Sequence, residues 1–312
     1  MLGLARRLRD RGVLGINRRN AEYVTVLNQR RHYPLVDDKL RTKELAVAAG
    51  MAVPELYGIV EAQHEVRALP ELIGPHESFV VKPAHGSGGN GVLVITGRRK
   101  ELYRKSSGEF MTPNDLGHHV SNTLSGLYSL GGRRDRAMIE YCVDADPVFE
   151  RLSFQGVPDI RVIVLLGYPV MAMLRLPTRQ SDGKANLHQG ALGVGIDLAT
   201  GTTTSAVQGN DSVSEHPDTG HAVDGLEIPH WHQILELAAR SWDVTGLGYL
   251  GVDVVIDRSF GPLMLELNAR PGLNIQIANQ LGLRHRLEKV QRQSGAELSV
   301  QARIDFARQE LH

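Results

Sequence analysis

Lys82 ends a run of strand formers, and four of the six residues from Gly86 to Gly91 are glycine, in the stretch SFVVKPAHGSGGNGVLVITG at positions 78–97. A lysine on a strand holds a cation in a fixed direction, and bare glycines let backbone N–H groups approach an anion, so this pattern suits phosphate oxygens. A second set lies in GVDVVIDRSFGPLMLELN, near the other end of the chain. If the turn is symmetric about Ser259 and Phe260, Asp257 faces Pro262 and Asp253 stands opposite Glu266, with Cβ atoms roughly 4.5–5.5 Å apart. Asn268 then shares that face, because side chains alternate along a strand. Two facing carboxylates repel unless something neutralises them. With an amide oxygen beside them they form a hard-oxygen set suited to Mg²⁺ or Mn²⁺. The bland alternatives are a surface hairpin with an incidental lysine and an exposed acidic strand pair. The flanking VVI and LML speak for a buried sheet, where an unpaired carboxylate is costly.

Context removes the familiar phosphate sites. Gly86, Gly88 and Gly91 match G-x-G-x-x-G, but a dinucleotide fold needs a helix directly after the loop, and here VLVIT continues as strand. The sequence contains no P-loop signature. Protein kinases place their lysine after the glycine hairpin, and neither H-R-D nor D-F-G occurs in this chain. Lys plus Arg and Asp plus Glu both number 35, so no overall field recruits nucleic acid or an anionic membrane. With one cysteine, Cys142, there is neither an internal disulfide nor a multi-thiolate metal centre. The longest apolar stretch, IRVIVLLGYPVMAML, is broken by Arg161, Gly167 and Pro169 and reads as two strands around a turn, not a membrane span. The opening MLGLARRLRDRGVLG lacks the apolar core of a signal peptide and reads as a terminal helix packed on its own domain. These features predict a cytoplasmic chain.

The positioning elements follow from periodicity. The first 35 or so residues read as helical and basic, and DDKLRTKELAVAAGMAVPE as a helix capped by Asp37 or Asp38 and stopped by Gly50 and Pro54. Strand, loop and strand span 78–97; residues 98–135 read as irregular, with a helix near DLGHHVSNTLSGLYSL. AMIEYCV is a strand, 159–176 a hairpin, and the Gly/Ser/Thr-rich segment to about 225 carries no predicted element. A helix opened by Pro229 runs to Gly246, and the carboxylate hairpin follows. Strands and helices mix without a βαβ rhythm, which predicts an α+β fold.

DDK before a helix, VVKPAHGSGGNGV, IEYCVD, DIRVIVL, KANLHQGA, and GVDVV followed by LELNARPG, in that order, resemble the ATP-grasp superfamily. They are most similar to its branch of ribosomal-protein-modifying and other α-L-glutamate ligases. The resemblance runs from about Asp37 to about Asn279 and implies two α+β subdomains that grip ATP between them. Position by position, it implies that Lys39 and Lys82 bind the ATP phosphates while Gly86, Ser87, Gly88, Gly89, Asn90 and Gly91 fold over the β and γ groups. Glu140 with the backbone of Tyr141 and Cys142 would hold adenine, and Asp159 would meet the ribose or a neighbouring side chain. Lys184 and Asn186 would meet the terminal phosphate, Asp253, Glu266 and Asn268 would hold the metals, and Arg161 and Arg175 would lie near the reacting carboxylate. Lys184, Arg175 and Arg161 are thus the expected catalytic residues. Arg270 departs from the small residue of many relatives. His188 reads as ordering its loop, and Cys142 as an inert thiol.

The implied activity is an ATP-dependent carboxylate–amine ligase that works through an acyl phosphate and adds an amino acid such as glutamate to a peptide, protein or small amine. The alternatives are an ATP-grasp kinase acting on a hydroxyl acceptor and a non-catalytic ATP-binding module. No protein nucleophile is needed, and no Ser/His/Asp or Cys/His arrangement stands out. The expected organisation is a helical extension at 1–36, an ATP-grasp domain at 37–295 with a lid at 78–138 and a metal-bearing part at 139–295, and a tail at 296–312. Relatives carry a separate N-terminal α/β domain that only 36 residues cannot supply here. Three builders of the acceptor site remain: residues 98–135, the segment QGNDSVSEHPDTGHAVDG, or a partner protein.

Overall fold

In the computed structural model, which describes residues 2–86, 88–129, 131–293 and 298–311, and the side chains from Arg6 onward, the chain forms two compact units. Residues 38–44 and 53–144 make up one, and residues 1–37, 45–52 and 145–312 the other.

The smaller unit is built on a six-stranded antiparallel sheet. Its strands are β1 (Leu56–Val60), β2 (Phe79–Pro83), β3 (Leu93–Arg99), β4 (Leu102–Lys105), β5 (Phe110–Met111) and β6 (Ala137–Glu140), in the spatial order β1-β6-β2-β3-β4-β5. Period-two alternation puts Phe79 and Val81 of β2 into a core with Ile95, Ile139, Leu116 and Val120, the last two from the helix Pro113–Leu124. That helix starts where it does because Thr112 and Asp115 form a capping box and Pro113 occupies the first turn. The opposite face of β2 and β6 carries Lys82, Met138 and Glu140. Met138 packs there with Leu40 of the helix Lys39–Ala48 and Ala84.

The larger unit holds a seven-stranded antiparallel sheet. Its strands are β7 (Asp159–Leu165), β8 (Tyr168–Leu176), β9 (Leu192–Ile196), β10 (Thr203–Gln208), β11 (Asp211–Val213), β12 (Tyr249–Asp257) and β13 (Gly261–Asn268), ordered β11-β10-β9-β8-β7-β12-β13. The helix Trp231–Thr245 packs on β7, β8, β12 and β13 through Ile234, Leu235 and Ala238. The longest apolar stretch is β7 and β8, joined by a turn at Leu166 and Gly167. Among the described residues, no helix is long and apolar enough to cross a membrane. The N-terminal residues pack within this unit: Leu14 and Tyr23 are buried, and the Asn28 amide exchanges hydrogen bonds with Tyr249 at 2.9 and 2.7 Å and donates to Ala269 O at 2.9 Å.

The α+β class therefore holds. The Gly/Ser/Thr-rich segment departs from its reading, because it contains β9, β10 and β11. Also unforeseen were β1, β4 and β5, and AMIEYCV is a strand only as far as Glu140.

Candidate functional site

In the smaller unit, neighbouring strands place Lys82 and Glu140 side by side. Both are buried, at 8% and 3% exposure, and the lysine forms an ion pair with Glu140 Oε1. The other carboxylate oxygen, Oε2, lies 2.8 Å from Lys43 Nζ, and Lys43 also donates to Pro54 O. Burial alone would raise the Glu140 carboxyl, but Lys82 and Lys43 outweigh it and hold the group below its ordinary value. Burial lowers the Lys43 ammonium, with Glu140 opposing and Lys82 adding to the effect. Lys39, one helical turn before Lys43, reaches the glycine loop instead and donates to Gly86 O at 2.8 Å.

The loop itself is clamped at both ends. At its base, Gly86 bridges to Ser129. His85 gives its backbone N–H and Nδ1 to Asp135, which also accepts from Ser129 Oγ and from Arg136 N. At its far end, His119 Nε2 donates to Gly91 O at 3.1 Å. Gly91 takes φ +74°, and a Cβ there would lie 2.4 Å from the Tyr128 ring, so this position excludes side chains twice over. Gly88 and Gly89 also take positive φ. Asn90 sits exposed at the tip, and Ser87 lies outside the described residues.

In the larger unit, strand register assembles a row of charges on one face. Arg175 on β8 pairs with Asp159 on β7; one step along β7, Arg161 pairs with Asp253 on β12, and Asp253 pairs with Glu266 on β13. Arg161 binds the Asp253 carboxylate through Nε and through a second nitrogen at 2.6 Å. Arg175 does the same to Asp159 and also reaches Asp253 Oδ2 at 2.8 Å. Burial, against the pull of Arg175 and with the Asp253 charge adding to it, raises the Asp159 carboxyl. Against its own burial, Asp253 is held low by Arg161 and Arg175. The Asn268 amide lies 3.4 Å from both Asp253 Oδ2 and Glu266 Oε1, so the three side chains converge.

By residue type the set could hold a hard divalent cation, with Glu266 and Asn268 half-buried at its edge, although among the described residues no group of three or more Asp, Glu, His or Cys side chains is placed to hold one. Asp253 Oδ2 already meets both guanidinium groups. Lys184 and Asn186 lie apart from this row, on the loop between β8 and β9. Lys184 is exposed with Asp182 3.8 Å away, and Asn186 caps a short 3₁₀ turn by accepting from His188 N at 3.1 Å. The loop is ordered by Thr178 and Ser181, which bond each other and Gly190, and by His216, which donates to Pro177 O at 2.9 Å; the His188 ring is exposed. Tyr141 N bonds Glu55 O at 2.9 Å, Cys142 is half-buried, and Arg270 stacks over Tyr33 with 4.7 Å to the ring centre. Sequence reasoning missed Lys43, Asp135 and His119. Lys43 had a signal, being four residues from Lys39 on one helix; Asp135 and His119 had none.

The sequence model of the sugar-transfer associated ATP-grasp family matches residues 18–292. The chain belongs to that family. The expected superfamily and the likeness to glutamate ligases both hold, and the association with sugar transfer is new. Among curated proteins, this ATP-grasp chain is similar to a probable alpha-L-glutamate ligase from Xylella fastidiosa, with 27% identity over 237 residues, 76% of this chain and 56% of that protein. It thus spans just over half the length of that relative. Similar solved structures include the D-cycloserine synthetase DcsG, at 17% identity and TM-score 0.47 over 83% of this chain and 71% of that one. Another is the D-alanine-D-alanine ligase from Coxiella burnetii, at 14% identity and TM-score 0.44 over 89% and 60%.

Proposed function

We propose that this ATP-grasp protein is an ATP-dependent carboxylate–amine ligase that activates an acid as its acyl phosphate and joins it to an amine. The observation that carries the reading is the buried row Arg175–Asp159 and Arg161–Asp253–Glu266 with Asn268 beside it. Two guanidinium groups fixed against three carboxylates leave the row one positive charge short, which suits a bound divalent cation, and a carboxylate and the γ-phosphate repel until such a cation holds them in line. Lys82 and the glycine loop bind and orient the triphosphate, and Lys39 holds the loop at Gly86. Glu266 and Asn268 would hold Mg²⁺ or Mn²⁺, which when bound neutralises charge on the transferring phosphoryl group. Arg175 orients the acid, and Lys184 with Asn186 meets the terminal phosphate as the loop allows. No side chain becomes covalently attached to substrate.

A second reading is phosphorylation of a hydroxyl acceptor, a group that the sugars of the family's description would supply. Mass spectrometry of reactions with MgATP and pools of acids, amines and sugar-bearing acceptors separates the two. ADP formed only when acid and amine are both present, with a product equal to their sum less one water, supports the ligase; an acceptor heavier by one phosphoryl group overturns it.

A further inference from the structure

The smaller unit holds a buried charge cluster of Lys43, Lys82 and Glu140, of which the reading above uses only Lys82. Lys82 is the lysine assigned to phosphate, yet its ammonium is paired with Glu140, and a lysine neutralised by a buried carboxylate has little attraction left for an anion. Lys43 changes that balance. It sits 2.8 Å from the second oxygen of the same carboxylate, is 6% exposed, and is pinned from behind by Pro54 O. Two ammonium groups share one carboxylate, so the cluster carries 2 − 1 = +1 charge in a place that water barely reaches. The lowered proton affinity of Lys43 reflects the cost of keeping it charged there. A buried, charged lysine in mid-helix has a bland use, which is to satisfy Pro54 O and the helix packing. That use would be met by any polar side chain and would not require the carboxylate to be shared.

We infer that Lys43 is a positioning residue for nucleotide binding: by drawing Glu140 toward itself it leaves Lys82 with net positive charge to present to the ATP phosphates. This rests on the nucleotide reading of Lys82. It predicts a dependence on charge count and not on shape. Without Lys43, Glu140 and Lys82 close into a neutral pair; without Glu140 as well, Lys82 regains its charge.

The test is the affinity of the full-length protein for ATP and for adenosine, by calorimetry, in Lys43→Met, Lys43→Gln and Lys43→Met/Glu140→Gln. Lys43→Met is expected to weaken ATP about tenfold, equivalent to about 1.4 kcal/mol, and to leave adenosine unchanged. In the double variant the ATP affinity, taken relative to that for adenosine so that any adenine contact of Glu140 cancels, is expected to return to within about threefold of the wild-type ratio, because the net charge is again +1. Lys43→Gln keeps a donor near Pro54 O, gives the same loss as Lys43→Met, and serves if that variant does not fold. ATP affinity unchanged in both single variants, equal losses for ATP and adenosine, or a double variant as weak as the single one would each overturn the role of Lys43 while leaving the nucleotide reading intact. A wild-type protein that binds adenosine and ATP equally, or neither, would overturn the nucleotide reading itself.

Discussion

Glu140 and Asp253 are each buried and each held by two cations, yet they differ in what removing them does. Glu140 has its proton affinity depressed in the fold, mainly because Lys82 and Lys43 outweigh burial. A carboxylate with a depressed value contributes stability above its unfolded value of about 4.3 that fades as pH falls through the folded one. Glu140→Gln is therefore expected to melt below wild type at pH 7, with the gap closing as the pH is lowered below about 4. Melting curves across pH 3 to 8 check this; a constant gap would assign the loss to packing. Asp253 and Glu266 offer a second contrast. Asp253→Ala strands the buried guanidinium group of Arg161, leaves Arg175 with Asp159 alone, and is expected to cost about 3–5 kcal/mol of stability by denaturant titration. Glu266 lies at the half-buried end of the row, so Glu266→Ala is expected to abolish ADP release with MgATP while unfolding at nearly the wild-type denaturant concentration. An active Glu266→Ala would remove this residue from the metal set.

Elements were legible where one residue type dominates and obscure where packing decides. The glycine loop announced itself, and its seat explains one of its glycines: Gly91 faces the Tyr128 ring with φ +74°. Gly91→Ala is expected to raise the KM for ATP, with about 1–3 kcal/mol of local strain, because the loop must lift off Tyr128; an unchanged KM would mean that the loop does not touch nucleotide. The carboxylate hairpin was legible for a partly different reason than its alternation suggests. Asp257 pairs with Gly261, not Pro262, and the ladder recovers because a bulge follows Met264, so Asp253 still meets Glu266. A symmetric turn and a bulge reach the same pairing, and local sequence does not distinguish them. Strand β9 was hidden by Gly193 and Gly195. A Cβ on Gly195 would lie 2.8 Å from Ala278 O, so close approach, not turn formation, requires the glycine. The four-residue spacing that marks Lys43 with Lys39 was not enough to place it, because a helical lysine ordinarily faces water, and the contact with Glu140 of β6 is made only in the folded unit.

At the scale of the whole molecule, the formal net charge of zero and the buried cations make one argument. With 35 positive and 35 negative side chains, the chain projects no long-range field to gather a polyanionic ligand, so attraction to ATP must come from the groups it touches. Lys82, proposed to meet the phosphates, and Lys43, proposed to set its charge, are both buried, where salt screens far less than at a surface. The screening length falls from about 10 Å at 0.1 M salt to about 3 Å at 1 M, which extinguishes interactions with exposed lysines but leaves contacts at hydrogen-bond distance largely in place. ATP affinity at fixed free Mg²⁺ is therefore expected to weaken by less than about threefold between 0.05 and 0.5 M KCl, measured by calorimetry. Exposed Lys184 provides an internal comparison. Any salt-dependent part should vanish in Lys184→Gln and persist in Lys43→Gln, since only the first removes a solvated charge. A loss of tenfold or more over that range would place the phosphates on the surface of the units and against the buried clusters, and Lys82 would lose its assignment along with Lys43.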